Sequence, residues 1–373
     1  MILVINSGSA TLKFSVFDKK LKKIFSGIVE RIGLLDSFFA FGEEKVFYKK
    51  GIQNHELAFK IVLEKISEKG FEINLVGHRV VHGGVEFTKP TLITPKVLKS
   101  LEKYNKLAPL HNPVNISCIK ASMKLLPKIK NFAVFDTSFH STIPDYAYNY
   151  ALPYELCQKN HIRRYGFHGI SHQYVCLKAA EKLKKPLSEL NLISCHLGSG
   201  ASITAVKNGK SVDTSMGFTP LEGLIMSTRS GDLDSAIIFY LNKELGLTFP
   251  EIEEMLNYKS GILGISGFKD MRDVLVRAGF KVEDFLEVKA TKEEKERCEL
   301  ALKMFVYRIV KYVGAYFAVL GKVDAIIFTG GIGERNLDIR EKILHGLKGL
   351  GKIRHFVIET NEELMIAKEI TLK

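Results

Sequence analysis

The first residues of the chain, ILVINSGSATLKFSVFD, constrain its fold more than any other segment. Ile2–Ile5 is apolar and β-branched and predicts a buried strand, and Leu12–Phe17 predicts a second strand. The small polar residues between them, Asn6–Thr11, predict the turn of a hairpin. Such turns are common and need no ligand. The hydroxyls of this one, the flexibility of Gly8 and the neighbouring cation of Lys13 nevertheless suit a phosphate or a metal–phosphate ligand.

A second copy of the pattern strengthens the ligand interpretation. Leu192–Val206 again has an apolar strand, a tip of small residues at Gly198–Ser202 and another apolar strand. Two such hairpins far apart in one chain indicate a duplicated domain that holds a nucleotide between its halves.

Composition limits the classes of protein to consider. The chain has 373 residues, enough for two domains, and 46% of them are hydrophobic, as in soluble globular proteins. The net charge of +13 comes mostly from lysines scattered along the chain. No basic motif interleaved with aromatic residues accompanies them, so we expect a solvated surface that favours anionic substrates and no nucleic-acid partner.

Cysteine usage and the apolar segments indicate a cytoplasmic protein without a membrane span. The five cysteines are widely spaced and form no CxxC pair, which favours reduced thiols and argues against a zinc site. The chain starts directly in a predicted strand, so we expect no signal peptide. The longest apolar run, Phe305–Leu320, contains Arg308 and Lys311 and therefore predicts a core helix.

Strands and helices alternate along the rest of the chain, which predicts an α/β fold. The aromatic, proline-punctuated segment Ser141–Leu156 suits a crossing into a second domain. Strand signals lie at Leu75–Val81 and Phe132–Phe135, and helical patterns lie at His55–Lys69, Thr94–Asn105, Pro113–Leu126 and Lys292–Leu320.

Glycine-rich segments near the C-terminus allow a further test for nucleotide motifs. The strand Asp324–Phe328 runs into the turn Gly330–Gly333 and then a helix, which suits an adenosine or a phosphate group. Gly346–Lys352 has the glycine and lysine spacing of a Walker A loop, but Ile353 replaces the metal-binding hydroxyl. We therefore interpret it as a lysine-rich loop.

Four basic side chains lie on loops or strand ends: Arg79, His111, His168 and Arg229. Each alone is more often salt-bridged, packed or capping than functional. Beside two phosphate-type hairpins they suggest a cage for a phosphoryl group in transfer, which needs cations around its oxygens more than it needs a base. Candidate oxygen ligands for Mg²⁺ are Asn6, Asp136 and Glu362. Asp136 also has a structural explanation, because Asp-Thr-Ser after a strand is good helix-capping chemistry.

Segments covering nearly the whole chain, in order, resemble those of the acetate kinase family: INSGSATLKF, VGHRVVHGG, LAPLHNP, FDTSFH, RRYGFHGISH, HLGSGAS, DTSMGFTPLEGLIMSTRSGDLD, SGILGISG, DMRD, FTGGIGERN and TNEEL. That family belongs to the sugar kinase/actin/Hsp70-like superfamily. The resemblance implies a duplicated ribonuclease-H-like, two-domain ATPase fold with a central cleft that closes on its substrates. We expect an N-terminal domain at 1–140, joined by the tail 363–373, and a C-terminal nucleotide-binding domain at 141–362.

The resemblance also implies a reaction and a set of partners. It implies reversible transfer of the γ-phosphoryl group of ATP to acetate, which gives acetyl phosphate and ADP. Mg²⁺ would be required, with Mn²⁺ as an alternative metal. The protein would form a homodimer.

Roles of individual residues follow from the positions that match the family motifs. Asn6 and Glu362 would hold Mg²⁺, and Lys13 would face the phosphates of ATP. The catalytic residues would be Asp136, His168, Arg229, Arg79 and His111. Acetate would be bound by Arg79 and by a small apolar pocket of Val81, Leu110, Phe167 and Pro220. The nucleotide would contact His196, Leu197, Gly198, Ser199, Gly200, Asp270, Met271, Arg272, Gly331, Ile332, Gly333, Glu334 and Arg335.

The chemistry of acetate limits what Asp136 has to do. Acetate is already a carboxylate at neutral pH, so the nucleophile needs no deprotonation. We therefore expect Asp136 to orient an arginine or a metal-bound water rather than act as a base. Four departures from the family pattern bear on nucleotide affinity and base preference more than on the reaction: Ala10, Ser199, Gly330 and Arg335.

Two alternatives stay open at this point. A propionate or butyrate kinase of the same family would use the same residues, since one methylene group changes substrate preference by only about 1–3 kcal/mol. A non-metabolic, actin-like ATPase would bind ATP without phosphorylating a small substrate. It would have little use for the four basic side chains named above.

Overall fold

The structure is a computed structural model that describes residues 1–109, 111–283, 285–286 and 288–372. Its contacts divide the chain into two units. Unit 1 comprises Met1–Ser141, Gly169–Tyr174 and the residues from Asn361 onward, and unit 2 comprises Thr142–His168 and Val175–Thr360.

Strands and helices alternate as predicted. The strands are β1 (Ile2–Gly8), β2 (Thr11–Phe17), β3 (Lys23–Glu30), β4 (Phe38–Phe41), β5 (Glu44–Phe47), β6 (Leu75–Val80), β7 (Thr91–Leu92), β8 (Lys130–Phe135), β9 (Asn191–Leu197), β10 (Ala201–Lys207), β11 (Lys210–Thr214), β12 (Ala325–Thr329) and β13 (His355–Val357). The helices are α1 (His55–Glu68), α2 (Pro95–Glu102), α3 (Asn112–Leu125), α4 (Asp145–Tyr148), α5 (Tyr154–Asn160), α6 (Gly169–Leu183), α7 (Ala236–Lys243), α8 (Phe249–Tyr258), α9 (Gly261–Ser266), α10 (Met271–Arg277), α11 (Lys292–Leu320), α12 (Gly330–Arg335), α13 (Leu337–Gly346) and α14 (Glu362–Thr371).

Each unit is built on one sheet, and the core of the larger sheet, β3-β2-β1-β6-β8, has the same order of strands as the smaller sheet. The order is β5-β4-β3-β2-β1-β6-β8-β7 in unit 1 and β11-β10-β9-β12-β13 in unit 2. β1 pairs antiparallel with β2 and parallel with β6, and β9 pairs antiparallel with β10 and parallel with β12. This repeated combination of a hairpin and parallel strands confirms the duplicated, ribonuclease-H-like α/β fold.

The first hairpin is tighter than predicted. Its strands pair as far as Gly8 and Thr11, so the turn consists of Ser9 and Ala10 alone. Residues expected in the turn therefore belong to strands, because the ladder pairs their backbone groups despite their turn propensity. As a result Asn6 lies directly opposite Lys13.

The C-terminal helix α14 returns to the first sheet and packs on β1 and β6. Gly77 in β6 makes this approach possible. A Cβ atom there would lie 2.8 Å from Cγ2 of Ile366 and 2.9 Å from Cδ1 of Ile370. The helix thereby brings Glu362, its first residue, into unit 1.

The longest helix, α11, has the bounds that its sequence pattern predicts. It begins with a capping box, in which Thr291 and Glu294 satisfy each other's backbone N–H groups. Phe305, Ile309 and Val313 on one face are buried, which confirms the expected core helix. Among the helices of the described ranges, none is both long and apolar enough to cross a bilayer.

A buried histidine in β6 links the stability of unit 1 to pH. His78 is 1% exposed, and its Nε2 lies 2.9 Å from Oδ1 of Asn131. Burial lowers the pKa of the His78 imidazole from 6.5 to about 4, although the bond to Asn131 acts in the opposite direction. Because the folded pKa is the lower one, stability that is present above pH 6.5 is lost as the pH falls towards 4.

We expect His78 to contribute a slope of up to about 1.4 kcal/mol per pH unit to the free energy of unfolding in this range. His78→Gln keeps a donor for Asn131 and cannot titrate, so it should flatten the slope. Urea unfolding at several pH values measures the effect. An identical slope in both proteins would show that His78 is not the titrating group.

Candidate functional site

A bidentate ion pair in unit 1 joins the ends of two neighbouring parallel strands. Arg79 lies in β6 and Asp136 follows β8, where its N–H donates to the carbonyl of Val80 at 3.0 Å. Nε of Arg79 lies 2.9 Å from Oδ1 of Asp136, and Nη2 lies 2.7 Å from Oδ2. Asp136 is 2% exposed. Both of its oxygens are thus engaged by the guanidinium, in the geometry that fixes an arginine most firmly.

The remaining nitrogen of Arg79 contacts the other two candidate metal ligands, Asn6 and Glu362. Nη1 lies 3.2 Å from Oδ1 of Asn6 and 3.1 Å from Oε2 of Glu362. Asn6 also donates from Nδ2 to Oε1 of Glu363 at 3.4 Å. The structure therefore brings the three predicted oxygen ligands, Asn6, Asp136 and Glu362, onto one guanidinium.

The electrostatics of this cluster bear on whether a metal fits. Burial raises the pKa of Glu362 to about 7, Arg79 acts in the opposite direction, and the carboxylate of Asp136 adds to the increase. The cluster thus carries more negative charge than Arg79 neutralises, which an added cation would relieve. Amide and carboxylate oxygens suit Mg²⁺, which in phosphoryl-transfer sites takes one or two carboxylates and completes its shell with water and phosphate. Within the described ranges no three His, Cys, Asp or Glu side chains form a metal site by themselves.

Other predicted residues of unit 1 occupy distinct positions. Lys13 projects from β2 opposite Asn6 and is exposed. Val81 follows β6 and is half-buried, and His111 precedes the first residue of α3. Leu110 lies outside the described residues.

Asn115, on α3, makes contacts that the sequence did not predict. It is 1% exposed, donates from Nδ2 to the carbonyl of Ser7 at 2.9 Å, and accepts from the N–H of Val81 at 3.1 Å. It therefore links the first hairpin to the residue expected in the acyl pocket. The only signal was a polar residue on the apolar face of a predicted helix.

In unit 2 several side chains converge on the tip of the second hairpin. Nδ1 of His168 lies 2.9 Å from Oγ of Ser202, and its ring stacks on that of His196 with centroids 4.3 Å apart. A Cβ atom on Gly200 would lie 3.2 Å from Nε2 of His168 and 3.3 Å from Nη2 of Arg229. Glycine therefore keeps open the space that both nitrogens face. Ser202 was expected in the tip but lies in β10, where its hydroxyl orients His168.

The backbone of His168 is strained. It adopts a left-handed conformation, with φ 56° and ψ 19°, immediately before α6. For a residue other than glycine this costs on the order of 1 kcal/mol and is typical of functional positions. The preceding Phe167, expected in the acyl pocket, is 2% exposed.

Arg229 differs from Arg79 in its partners. Nη1 of Arg229 donates to the carbonyl of Pro220 at 2.8 Å, and no ion pair of Arg229 occurs within the described part of the chain. Burial lowers the pKa of the guanidinium, which nevertheless remains protonated at neutral pH. A largely desolvated cation without a carboxylate is unfavourable in isolation and suits an anionic ligand.

The glycine-rich segment after β12 corrects one expectation. No separate turn precedes the helix, because α12 begins at Gly330, whose φ is 75°. Oε1 of Glu334 accepts from the N–H of Gly330 at 2.8 Å and from that of Thr360 at 3.1 Å. The helix thus caps its own N-terminus with a carboxylate, which argues against a phosphate there and leaves the adenosine interpretation.

The other predicted nucleotide contacts lie in two places. Asp270 caps α10 and pairs with Arg272, whose Nη2 lies 2.6 Å from Oδ2 of Asp270. This local pair explains both residues structurally, so their contact with a nucleotide stays a prediction. Met271 is the buried first residue of α10. The rest lie at the end of β9, at the adjoining tip or in α12: Leu197, Gly198, Ser199, Gly331, Ile332, Gly333 and Arg335.

Comparison with known proteins places this geometry in a family. Residues 1–355 match the model of the Acetokinase family. An acetate kinase of Caldanaerobacter subterraneus subsp. tengcongensis is 48% identical over 402 residues, covering 99% of this chain and 97% of the relative. The crystal structure of Porphyromonas gingivalis acetate kinase has a TM-score of 0.90 and 40% identity, covering 100% of this chain and 99% of that one. A propionate kinase structure from Francisella tularensis subsp. tularensis has a TM-score of 0.90 and 39% identity, covering 99% and 98%. The chain belongs to the acetokinase family.

Proposed function

We propose that this chain catalyses reversible transfer of the γ-phosphoryl group of ATP to acetate. A carboxylate oxygen of acetate attacks the γ-phosphorus in line, the bond from phosphorus to the β,γ-bridging oxygen breaks, and ADP leaves. Family membership and the acetate kinase names of the relatives support this reaction. They also favour acetate over propionate, and they argue against the non-metabolic, actin-like ATPase.

The observation that carries the proposal is that Arg229 is held by a carbonyl group and not by a carboxylate. Nucleophile and phosphoryl group are both anionic, so the reaction needs positive charge that the protein has not already neutralised. Arg229 supplies such a charge, held by the neutral carbonyl of Pro220. Its Nη2 and Nε2 of His168 face the same space at Gly200, from which they would stabilise the equatorial oxygens.

The residues of unit 1 have a different task. Arg79 would bind the carboxylate of acetate or the phosphoryl group, and Asp136 holds its guanidinium in place. Asp136 therefore acts as an orienting residue and not as a base. Asn6 and Glu362 would hold Mg²⁺, with Mn²⁺ as an alternative. When bound, the metal would neutralise phosphate charge and orient the ATP phosphates.

The remaining assignments concern binding. Val81, Phe167 and Pro220 would contact the methyl group of acetate. Lys13 would contact the phosphates, and the segments at 196–200, 270–272 and 331–335 would contact the nucleotide. His111 would complete the catalytic set.

A hydroxamate assay for acyl phosphate, with ATP and Mg²⁺ across acetate, propionate and butyrate, tests the reaction. We expect strong turnover of acetate that falls at least a hundredfold in Arg229→Ala, because one transition-state cation is removed. Lys259→Ala, which removes an exposed cation paired with Glu254, is the matched control and should stay within about twofold.

Each substrate outcome has a distinct meaning. A preference for propionate or butyrate would overturn the acyl-pocket assignment and keep the mechanism. ATP binding without acyl phosphate from any of the three acids would contradict the kinase proposal.

The metal assignment predicts different behaviour of two adjacent carboxylates. Glu362→Gln should raise the Mg²⁺ concentration for half-maximal activity at least tenfold, because a proposed ligand loses its charge. Glu363→Gln alters a residue that contacts Asn6 only at 3.4 Å, and it should change this concentration less than threefold. Activity measured over a Mg²⁺ titration decides the matter, and equal effects of the two variants would refute the assignment of Glu362.

We propose that a homodimer forms through the surface of α7. This apolar helix has no buried residue in the described chain, and Ile237, Phe239 and Tyr240 are 43%, 57% and 57% exposed. Exposed apolar patches of this kind mark association surfaces. Light scattering should give twice the chain mass, and Phe239→Asp should shift it to one chain mass. A wild-type protein of one chain mass at micromolar concentration would refute the proposal.

We also propose a cytoplasmic location and a division into domains at 1–140 with 363–373 and at 141–362. The cysteines support a reducing compartment, since all five are free and buried. Cell fractionation tests the location. Limited proteolysis tests the boundaries, because cleavage should concentrate near residue 141 if they are correct.

A further inference from the structure

A long irregular loop carries two of the proposed site residues of unit 2. Between the end of β11 at Thr214 and the start of α7 at Ala236, the chain forms neither helix nor strand. Pro220 and Arg229 both lie on this loop. Loops of such length are mobile unless other elements hold them. A cation that stabilises a phosphoryl group during its transfer has to be held accurately. The contacts that hold this loop therefore decide how well the site can work.

Arg164 makes the densest of these contacts. Its Nη1 donates to three successive carbonyls at the start of the loop, those of Thr214 at 2.9 Å, Ser215 at 3.4 Å and Met216 at 3.2 Å. Its Nη2 lies 2.6 Å from Oε1 of Glu222, further along the loop. The guanidinium of Arg164 thus links residues 214–216 to Glu222, and the loop bends between them.

Tyr150 closes the same bend from a second direction. Its hydroxyl donates to Oε2 of Glu222 and accepts from the N–H of Phe218 at 2.8 Å. Gly217 has no room for a side chain, since a Cβ atom there would overlap Oε2 of Glu222 and the hydroxyl of Tyr150. Both oxygens of Glu222 are therefore bound, one to a cation and one to a phenol, inside a bend packed around them.

The bend is connected to the catalytic candidates on both sides. Glu222 lies two residues after Pro220, whose carbonyl receives Nη1 of Arg229 at 2.8 Å. Arg164 lies in the segment that continues to Phe167 and His168. The ion pair of Arg164 and Glu222 therefore joins the segment between α5 and α6, which carries Phe167 and His168, to the loop that carries Pro220 and Arg229.

We propose that Glu222 is a positioning residue for the phosphoryl-transfer reaction: through Arg164 and Tyr150 it sets the placement of Pro220 in the acyl pocket and of Arg229 at the transferring group. The inference rests on the proposed function. Both carboxylate oxygens of Glu222 are bound by Arg164 and Tyr150, so its loss acts through the geometry of Pro220 and Arg229.

The loss of the Arg164–Glu222 ion pair should have different effects on activity if the pair only stabilises the fold and if it also positions Pro220. If the pair only stabilises the fold, its loss lowers the fraction of active enzyme and leaves the ratio of kcat/KM for acetate to kcat/KM for propionate unchanged. That ratio does not depend on how much of the sample is folded. If the pair positions Pro220, the ratio changes, because pocket shape sets acyl-chain discrimination.

The experiment compares Glu222→Gln with Asp213→Asn. Glu222→Gln keeps size and an acceptor for Tyr150 but removes the charge that holds Arg164. Asp213→Asn is the matched control, since it also removes a carboxylate near Arg164, 3.8 Å from its Nε, but one that lies in β11 and not on the loop. We expect kcat to fall at least tenfold in Glu222→Gln, with at least a threefold change in the acetate-to-propionate ratio. In Asp213→Asn both quantities should stay within about twofold.

Tyr150→Phe serves if Glu222→Gln does not fold. It removes one hydrogen bond of Glu222 and leaves the ion pair, so it should change the ratio in the same direction by a smaller factor. An unchanged ratio in every folded variant, or an equal change in Asp213→Asn, would overturn the inference. Wild-type protein that makes no acyl phosphate would instead refute the proposed function, which separates the two failures.

Discussion

Positive charge without a carboxylate partner is the constraint on which the candidate site depends. Two anions have to approach each other, and cations in a poorly solvated site offset their repulsion far better than cations in water. In the proposed reaction the two arginines would divide this task. Arg79 is bound by Asp136 and Glu362 and would hold an anionic substrate in a fixed position, whereas Arg229 is held by a carbonyl and would keep its charge for the reacting group.

The architecture follows from features that are visible in the sequence. The two hairpins were predictable because apolar β-branched runs flank small residues in both, and the shared strand order of the two sheets shows the duplication behind them. The boundaries of the first turn were not predictable. Turn propensity favoured a break at Asn6, but pairing with β2 extends the strand to Gly8, because backbone hydrogen bonds outweigh a weak local preference.

Contacts between distant residues are the part that the sequence could not supply. Residue chemistry pointed to Asn6, Asp136 and Glu362 and the family motifs agreed, but only the structure shows that one guanidinium joins them. Asn115 bonds to Ser7 across 108 positions, and Arg164 pairs with Glu222 across 58, so neither contact leaves a local pattern. Glu334 shows the converse. Its motif suggested a ligand contact, yet one of its oxygens caps the helix that contains it.

The stereochemical course at phosphorus tests most directly whether the phosphoryl group passes straight from ATP to acetate. Because Arg79 binds both oxygens of Asp136, this carboxylate is not available to accept the phosphoryl group. We therefore expect acetate to attack directly, without a phosphorylated side chain. Transfer from ATP made chiral at the γ-phosphorus by oxygen isotopes should therefore proceed with inversion, as expected for a single in-line displacement. Retention would contradict this mechanism, because it requires two successive transfers through a side chain such as Asp136, Glu362 or His168.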